Sequence, residues 1–252
     1  MDFDSIIRNH KLSPPEKKSA YTQINATLKI INTQFKKHKL KAKAVLGGSA
    51  AKGTMLKNDF DVDIFAQFDY SYKNISDLLE KALKPFKPIR VPGSRDYFQF
   101  TKQFNYEIVP VLKISSPKRA LNVTDASPLH VKWVKKKANE KLVDQIILTK
   151  IFLKAHSLYG AESYIKGFSG HVVDILIIYY NGFLKLLRAS QKWKPGQIID
   201  PEKHYTFLNQ SKKGPLILID PVQPDRNAAA ALSQKNFEAF IAAAKAFLKK
   251  PS

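Results

Sequence analysis

GGSAAKGTMLKNDFDVDIF, residues Gly47 to Phe65, sets a tight glycine turn and a serine shortly before two aspartates, Asp61 and Asp63. The spacing predicts a β-strand over Asp61–Phe68. Side chains alternate faces along a strand, so Asp61, Asp63 and Phe65 share one face and Val62, Ile64 and Ala66 the other. Two carboxylates held side by side repel unless a cation sits between them. Hard oxygen donors at that spacing suit Mg²⁺, which takes one or two carboxylates and completes its shell with water and phosphate. The Gly47-Gly48-Ser49 turn lets backbone N–H groups approach an anionic phosphate. A D-x-D pair alone also occurs on ordinary surface strands; the glycine-serine turn at fixed distance upstream is what makes a site of it.

Working outward, Ser13-Pro14-Pro15-Glu16 reads as a capping box opening a long helix to about Lys39, with Tyr21, Ile24, Leu28, Ile31 and Phe35 at helical spacing. Ala42–Leu46 reads as the strand entering the glycine turn, and Ser76–Lys84 as a second helix. Tyr97–Thr101 and Tyr106–Ile114 read as a hairpin. Glu107 lies in its second strand, flanked by apolar residues. It is either an edge-strand acid facing solvent or, beside the D-x-D strand in one sheet, a third metal ligand.

From Pro128 the pattern turns helical, over about Pro128–Ala138, Glu140–His156 with Gly160 as its stop, and a central Ser169–Arg188. A short extended segment spans Pro215–Asp220, and a last helix is capped by Ser233. The fold class expected is α+β, with an α/β head over residues 1–115 and a helical domain over 116–252.

The chain has 252 residues, 42 of them Lys or Arg and 21 Asp or Glu, for a net charge of +21. That balance attracts polyanions, nucleic acid first, unless the lysines form only a solvated surface. The absence of cysteine excludes disulfides and thiolate metal sites and suits a reducing, cytoplasmic setting. The N-terminus has no long apolar core of a signal peptide, and the longest apolar run, around Val172–Tyr180, is interrupted by Asp174. No membrane partner is expected.

Taken together, these motifs resemble the nucleotidyltransferase signature of the DNA polymerase β superfamily, and within it the archaeal-type (class I) CCA-adding enzymes, which are tRNA nucleotidyltransferases. The likeness extends over about residues 10–250. Asn105-Tyr106-Glu107-Ile108-Val109-Pro110 looks like the family's third-carboxylate strand, and Ala126-Ser127-Pro128-Leu129-His130 like its Thr-Pro-x-His segment. KIFLKAHSLYGAESYIKGFSGHVVDILIIYY, from Lys150, resembles its central helical domain. Asp220-Pro221-Val222 with Arg226-Asn227-Ala228-Ala229 resembles a further stretch.

The resemblance implies a polymerase-β-like head with a mixed or antiparallel sheet, followed by a helical central domain that binds the nucleotide and the RNA 3′ end. It implies addition of C, C and A from CTP and ATP to the 3′ end of tRNA, without a template. Asp61, Asp63 and Glu107 would hold two Mg²⁺ ions. Gly48, Ser49 and Lys52 would hold the triphosphate, Ser127, His130, Lys150 and Tyr159 would line the nucleotide pocket, and Arg226 would read the base.

Four residues depart from the family pattern. Ala50 replaces an aromatic residue, Lys52 an arginine, Glu107 an aspartate and Ser127 a threonine; lysine keeps the charge but loses bidentate phosphate geometry. Family members usually continue into a C-terminal region that grips the tRNA, and this chain ends before it. A minimal enzyme, a homodimer, a separate tail subunit and a shortened chain are the options. A less selective A- or C-adding terminal transferase and an inactive RNA-binding subunit of a split enzyme also stay open.

Overall fold

A computed structural model describes residues 2–206 and 208–251. The chain forms two compact units: residues 10–132, and residues 1–9 with 133–252.

The first unit is built on a five-stranded mixed sheet. Its strands are β1 (Ala42–Leu46), β2 (Val62–Phe68), β3 (Ile89–Val91), β4 (Tyr97–Thr101) and β5 (Asn105–Leu112), in spatial order β1-β2-β5-β4-β3. β2 and β5 pair in parallel at the centre, and every other pairing is antiparallel. The expected hairpin is β4–β5. The helices α2 (Pro14–Lys37) and α4 (Ile75–Leu83) supply Ile24, Ile31, Phe35, Leu79 and Leu83 to a core with Val62, Ile64, Ala66, Phe68 and Ile108 of the sheet. Strand alternation therefore points the other set of β2 and β5 side chains, Asp63 and Glu107 among them, to the opposite face.

The capping box is present: the Ser13 N–H donates to Glu16 at 2.8 Å, and Lys57 pairs with the same carboxylate at 2.7 Å. α2 closes at Lys37, two residues before the expected end.

The first unit runs past residue 115, to Lys132. Asp125, wholly buried, ties the intervening segment to the sheet. It accepts hydrogen bonds from the backbone N–H groups of Leu112 (2.8 Å), Leu121 (3.1 Å) and Asn122 (3.0 Å), and an ion pair from Arg95.

The second unit begins with α1 (Phe3–His10), a helix that the sequence pattern did not signal. Phe3 packs edge-on to Phe183 and stacks with Phe247. With it go part of α5 (Ser127–Lys137), α6 (Glu140–Ala155), α7 (Gly170–Tyr180), α8 (Phe183–Ser190), α9 (Gln234–Lys249) and a two-stranded parallel ribbon of β6 (Gln197–Ile199) and β7 (Leu216–Leu218). The single helix expected over Ser169–Arg188 is two. Asn181 and Gly182 both have positive φ (55° and 131°), and a pair of such residues ends one helix and redirects the chain into the next. Ser233 caps α9, accepting from the Asn236 N–H at 3.2 Å. Among the described residues no helix is long and apolar enough to cross a membrane.

Asp125→Ala leaves three backbone donors without their acceptor and removes the carboxylate partner of Arg95, which keeps only the Pro110 carbonyl at 3.2 Å. Urea unfolding is expected to show a loss of about 3–5 kcal/mol. At the surface, the bonds from Lys57 and Ser13 hold the Glu16 carboxyl down to about 2. A depressed pKa contributes stability that is complete above the ordinary carboxylate range and is lost as pH falls toward about 2. Glu16→Gln should therefore be less stable than wild type at pH 7, and the gap should close by about pH 2 in denaturation measured across that window.

Candidate active site

Parallel pairing sets Asp63 of β2 directly beside Glu107 of β5. Asp61 stands one residue before β2 and shares with Glu107 the lining of a cavity of about 360 Å³, together with Gln99, Thr101, Asn105 and Tyr106. Like charge crowds this end of the sheet. Burial pushes the Glu107 carboxyl above the ordinary range, the Asp63 charge adds to the rise and Asp61 adds less, while a hydrogen bond from Gln99 opposes it. Gln99 faces Glu107 in the antiparallel β4–β5 register. No motif singled it out, although the hairpin register implied by Tyr97–Thr101 and Tyr106 carries the information.

The glycine turn lies against Asp63. Gly47 N–H donates to the Asp63 carbonyl at 2.8 Å, which sews the end of β1 to the start of β2. Gly48 has φ +48°, and a Cβ there would fall 1.5 Å from Oδ2 of Asp63. A Cβ at Gly47 would press the Phe65 ring at 2.7 Å. A side chain at either position would force its neighbour to shift, and at Gly48 it would also meet an unfavourable positive φ.

The short turn of helix α3 (Gly48–Lys52) follows and carries Ser49 and Lys52, both half-buried. Its Ala50 is wholly buried, and the Tyr21 hydroxyl of α2 donates to the Ala50 carbonyl at 2.5 Å. Gly48, Ser49, Lys52, Asp61, Asp63 and Glu107 thus belong to one connected end of the sheet. Three carboxylates with two in register, and the mutual repulsion that raises Glu107, form a hard oxygen donor set that fits a divalent cation.

Ser127 and His130 lie on the first turn of α5 in the same compact unit, His130 buried. In the second unit Lys150 is 4 % exposed on α6, with its Nζ 6.0 Å from the ring centroid of Tyr159; Nζ of Lys154 lies 5.0 Å from the same ring. Gly170, at the start of α7, leaves room for the Tyr159 hydroxyl: a Cβ there would stand 2.9 Å from it.

Arg226 is held by an acid of the same unit. Its Nη1 donates to Asp220 at 2.7 Å. Asp220, wholly buried, also accepts from the N–H groups of Val222 and Gln223 and faces His171 at 3.4 Å. Asn227 explains the rest of its motif. Its side chain accepts from the Leu218 and Ala229 N–H groups and donates to the Leu216 carbonyl, joining β7 to the following turn. Asp125 sits in a short 3-10 turn and Asp220 at the end of the extended segment, and their anchoring parts depend on partners that local sequence patterns do not show.

Comparison with known proteins agrees with this geometry. The nucleotidyltransferase domain family matches residues 28–130, and the family described as tRNA nucleotidyltransferase, second domain, matches residues 144–252. A CCA-adding enzyme of Nanoarchaeum equitans is 47 % identical over 210 residues, covering 78 % of this chain and 53 % of that protein. The CCA-adding enzyme of Pyrobaculum islandicum is 32 % identical over 263 residues, covering 99 % of this chain and 62 % of that one. The chain thus spans between about half and three-fifths of the length of these curated relatives.

Among solved structures, the Cid1 poly(U) polymerase superposes with a TM-score of 0.75 at 16 % identity, covering 99 % of this chain and 94 % of that one. CdnC of E. coli MS115-1, in its complex with HORMA-deltaN, gives a TM-score of 0.72 at 18 % identity, covering 100 % and 93 %. At that identity the structural likeness speaks for the polymerase-β-like fold alone. With both domain families matched in order around an intact carboxylate sheet, the chain belongs to the archaeal-type CCA-adding enzyme family.

Proposed function

We propose that this chain adds C, C and A to the 3′ end of tRNA from CTP and ATP, releasing pyrophosphate at each step. The observation that carries the reading is the register pair Asp63–Glu107 with Gly48 packed on the Asp63 carboxylate. Asp61, Asp63 and Glu107 are the residues that would hold Mg²⁺. When bound, two such ions lower the pKa of the RNA 3′-hydroxyl and neutralise charge on the triphosphate and the leaving pyrophosphate.

The remaining parts belong to the chain. The Gly47-Gly48 backbone and Ser49 offer donors to phosphate oxygens, and Lys52 adds a point charge. Ser127 and His130 of the first unit, and Lys150 and Tyr159 of the second, are each proposed as nucleotide-contacting residues on the family resemblance. Asp220 fixes the guanidinium of Arg226 by a charge-assisted bond, so that the fork it offers a base edge is already oriented. Residues 1–115 as catalytic head and 116–252 as nucleotide- and RNA-end-binding domain are the functional division proposed, while the compact units comprise residues 10–132 and residues 1–9 with 133–252. A cytoplasmic setting is part of the same proposal. Any contribution of a second copy or a separate tail chain belongs to the same proposal.

The test is incorporation of labelled CTP and ATP, singly and together, into one tRNA lacking its last three nucleotides. Two C followed by one A is the expected product; runaway or single-nucleotide addition would establish a less selective terminal transferase instead. Asp61→Ala with Asp63→Ala should abolish incorporation, by about 10³-fold or more, while RNA binding stays within about twofold. Loss of binding together with activity would remove these acids from a purely chemical part. Gly48→Ala forces a Cβ onto the Asp63 carboxylate. It is expected to lower kcat by about 10²-fold or more while far-ultraviolet circular dichroism and the melting of the second unit are retained.

A further inference from the structure

Lysine is concentrated at the end of the sheet away from the carboxylates. Residues 36–43 read KKHKLKAK, five lysines and a histidine in eight positions. Lys36, Lys37, Lys39, Lys41 and Lys43 are all exposed, and among the described residues none of them pairs with a carboxylate. Lys113, exposed at the end of β5, joins them through its backbone bond to Phe68 at 2.7 Å. The acid beside the cluster, Asp69, accepts from the Ser71 N–H (3.1 Å) and hydroxyl (2.7 Å), and these bonds, with the charges of Lys41 and Lys113, hold its carboxyl below the ordinary range. Six lysines beside that one carboxylate leave the cluster a concentration of net positive charge.

The backbone that carries it is fixed. Lys39 takes the left-handed conformation (φ 53°) that closes α2, and the Leu40 N–H returns to the Phe35 carbonyl at 2.9 Å. The Lys41 N–H donates to the Tyr72 hydroxyl at 3.1 Å, and the Asp69 N–H to the Lys41 carbonyl at 2.9 Å. Side chains on a fixed frame lose less freedom on binding than those on a loose tail. In register, Ala42 pairs with Phe68 while Leu46 pairs with Ile64. Lys41 and Lys43 consequently stand about 13–20 Å from Gly47 along β1, at ~3.3 Å per residue. That is beyond the reach of the reacting phosphates and within the span of an RNA whose 3′ end lies at the carboxylates. Leu40 is the one large apolar side chain of the run and is half-buried, so the patch offers a bilayer nothing to insert.

We propose that the Lys36–Lys43 cluster, with Lys113, is a second RNA contact that holds the sugar–phosphate backbone of the acceptor away from the reacting end. The proposal rests on the RNA-directed reading above. Its test compares two full-length variants of equal charge loss: Lys36, Lys37, Lys39 and Lys41 all to Gln, and, as control, the exposed Lys235, Lys245, Lys249 and Lys250 of the last helix and its end all to Gln. The probe is tRNA lacking its three terminal nucleotides, with affinity measured from 50 to 300 mM KCl and incorporation at saturating RNA.

The cluster variant should bind at least tenfold more weakly near 150 mM salt. Its slope of log affinity against log salt should fall by about 2–3, at ~0.7–0.9 per phosphate contact, with kcat unchanged. The control should move less than twofold. Equal losses in both variants would reduce the patch to general charge, and unchanged binding in the cluster variant would overturn the contact outright. Retention of RNA binding with loss of affinity for vesicles containing phosphatidylserine would transfer the patch to a membrane and sink the proposal. Wild type that incorporates nothing would refute the enzymatic reading, while its salt slope still reports on the cluster.

Discussion

Two carboxylates forced abreast by parallel strand pairing are the constraint around which the first unit is arranged. β2 and β5 pair because Val62, Ile64, Ala66 and Ile108 bury one face of both strands against α2 and α4. The price of that register is that Asp63 and Glu107 meet on the other face. Hydrophobic burial is non-directional and large, so it can hold a like-charge pair together that would otherwise separate. The neighbouring parts answer to the pair: Gly47 and Gly48 because a side chain at either would force Phe65 or Asp63 to shift, and Gln99 because the hairpin register brings an amide to Glu107.

The outcome for the sequence reading follows the range of each signal. Local signals carried through: the capping box at Ser13, the β4–β5 hairpin, the strand after Asp61 and the Ser233 cap all depend on residues within a turn of one another. So did the mixed sheet and the class of fold. Signals that depend on distant partners did not. Phe3 reads as an ordinary N-terminal residue until Phe183 and Phe247 stand beside it. Asn181-Gly182 lies inside an apolar run whose continuity favours one helix, and only the two positive φ angles divide it.

The site shows the same split. Asp61 and Asp63 stood out through the glycine-serine turn upstream and Glu107 through its apolar strand and the family resemblance, and the structure brings the three to one end of the sheet. Gln99 did not stand out, because an amide on an exposed strand face is commonplace. Asp220 stood in a recognisable stretch, but its part became visible only when Arg226 closed on it. The Arg226–Asn227 pair divides in a way that motif reading cannot see: the arginine turns toward an acid and stays partly exposed, while its neighbour is buried and joins backbone to backbone.

Acids are half as numerous as cations in this chain, so where they stand is informative. Asp125 and Asp220 are wholly buried, each gathering backbone N–H groups and one arginine; a buried carboxylate so surrounded fixes a loop more firmly than neutral hydrogen bonds could. Glu16 and Glu202 tie helix ends through single lysines. Asp77, Glu80 and Asp96 all converge on one guanidinium, that of Arg90. Asp61, Asp63 and Glu107 crowd the site where a cation is wanted. Many of the acids are thus committed within the fold, and the lysines of residues 36–43 are left facing solvent without them. A chain built this way concentrates its surface field where structure leaves it unopposed, and a polyanion meets that field before it meets the site.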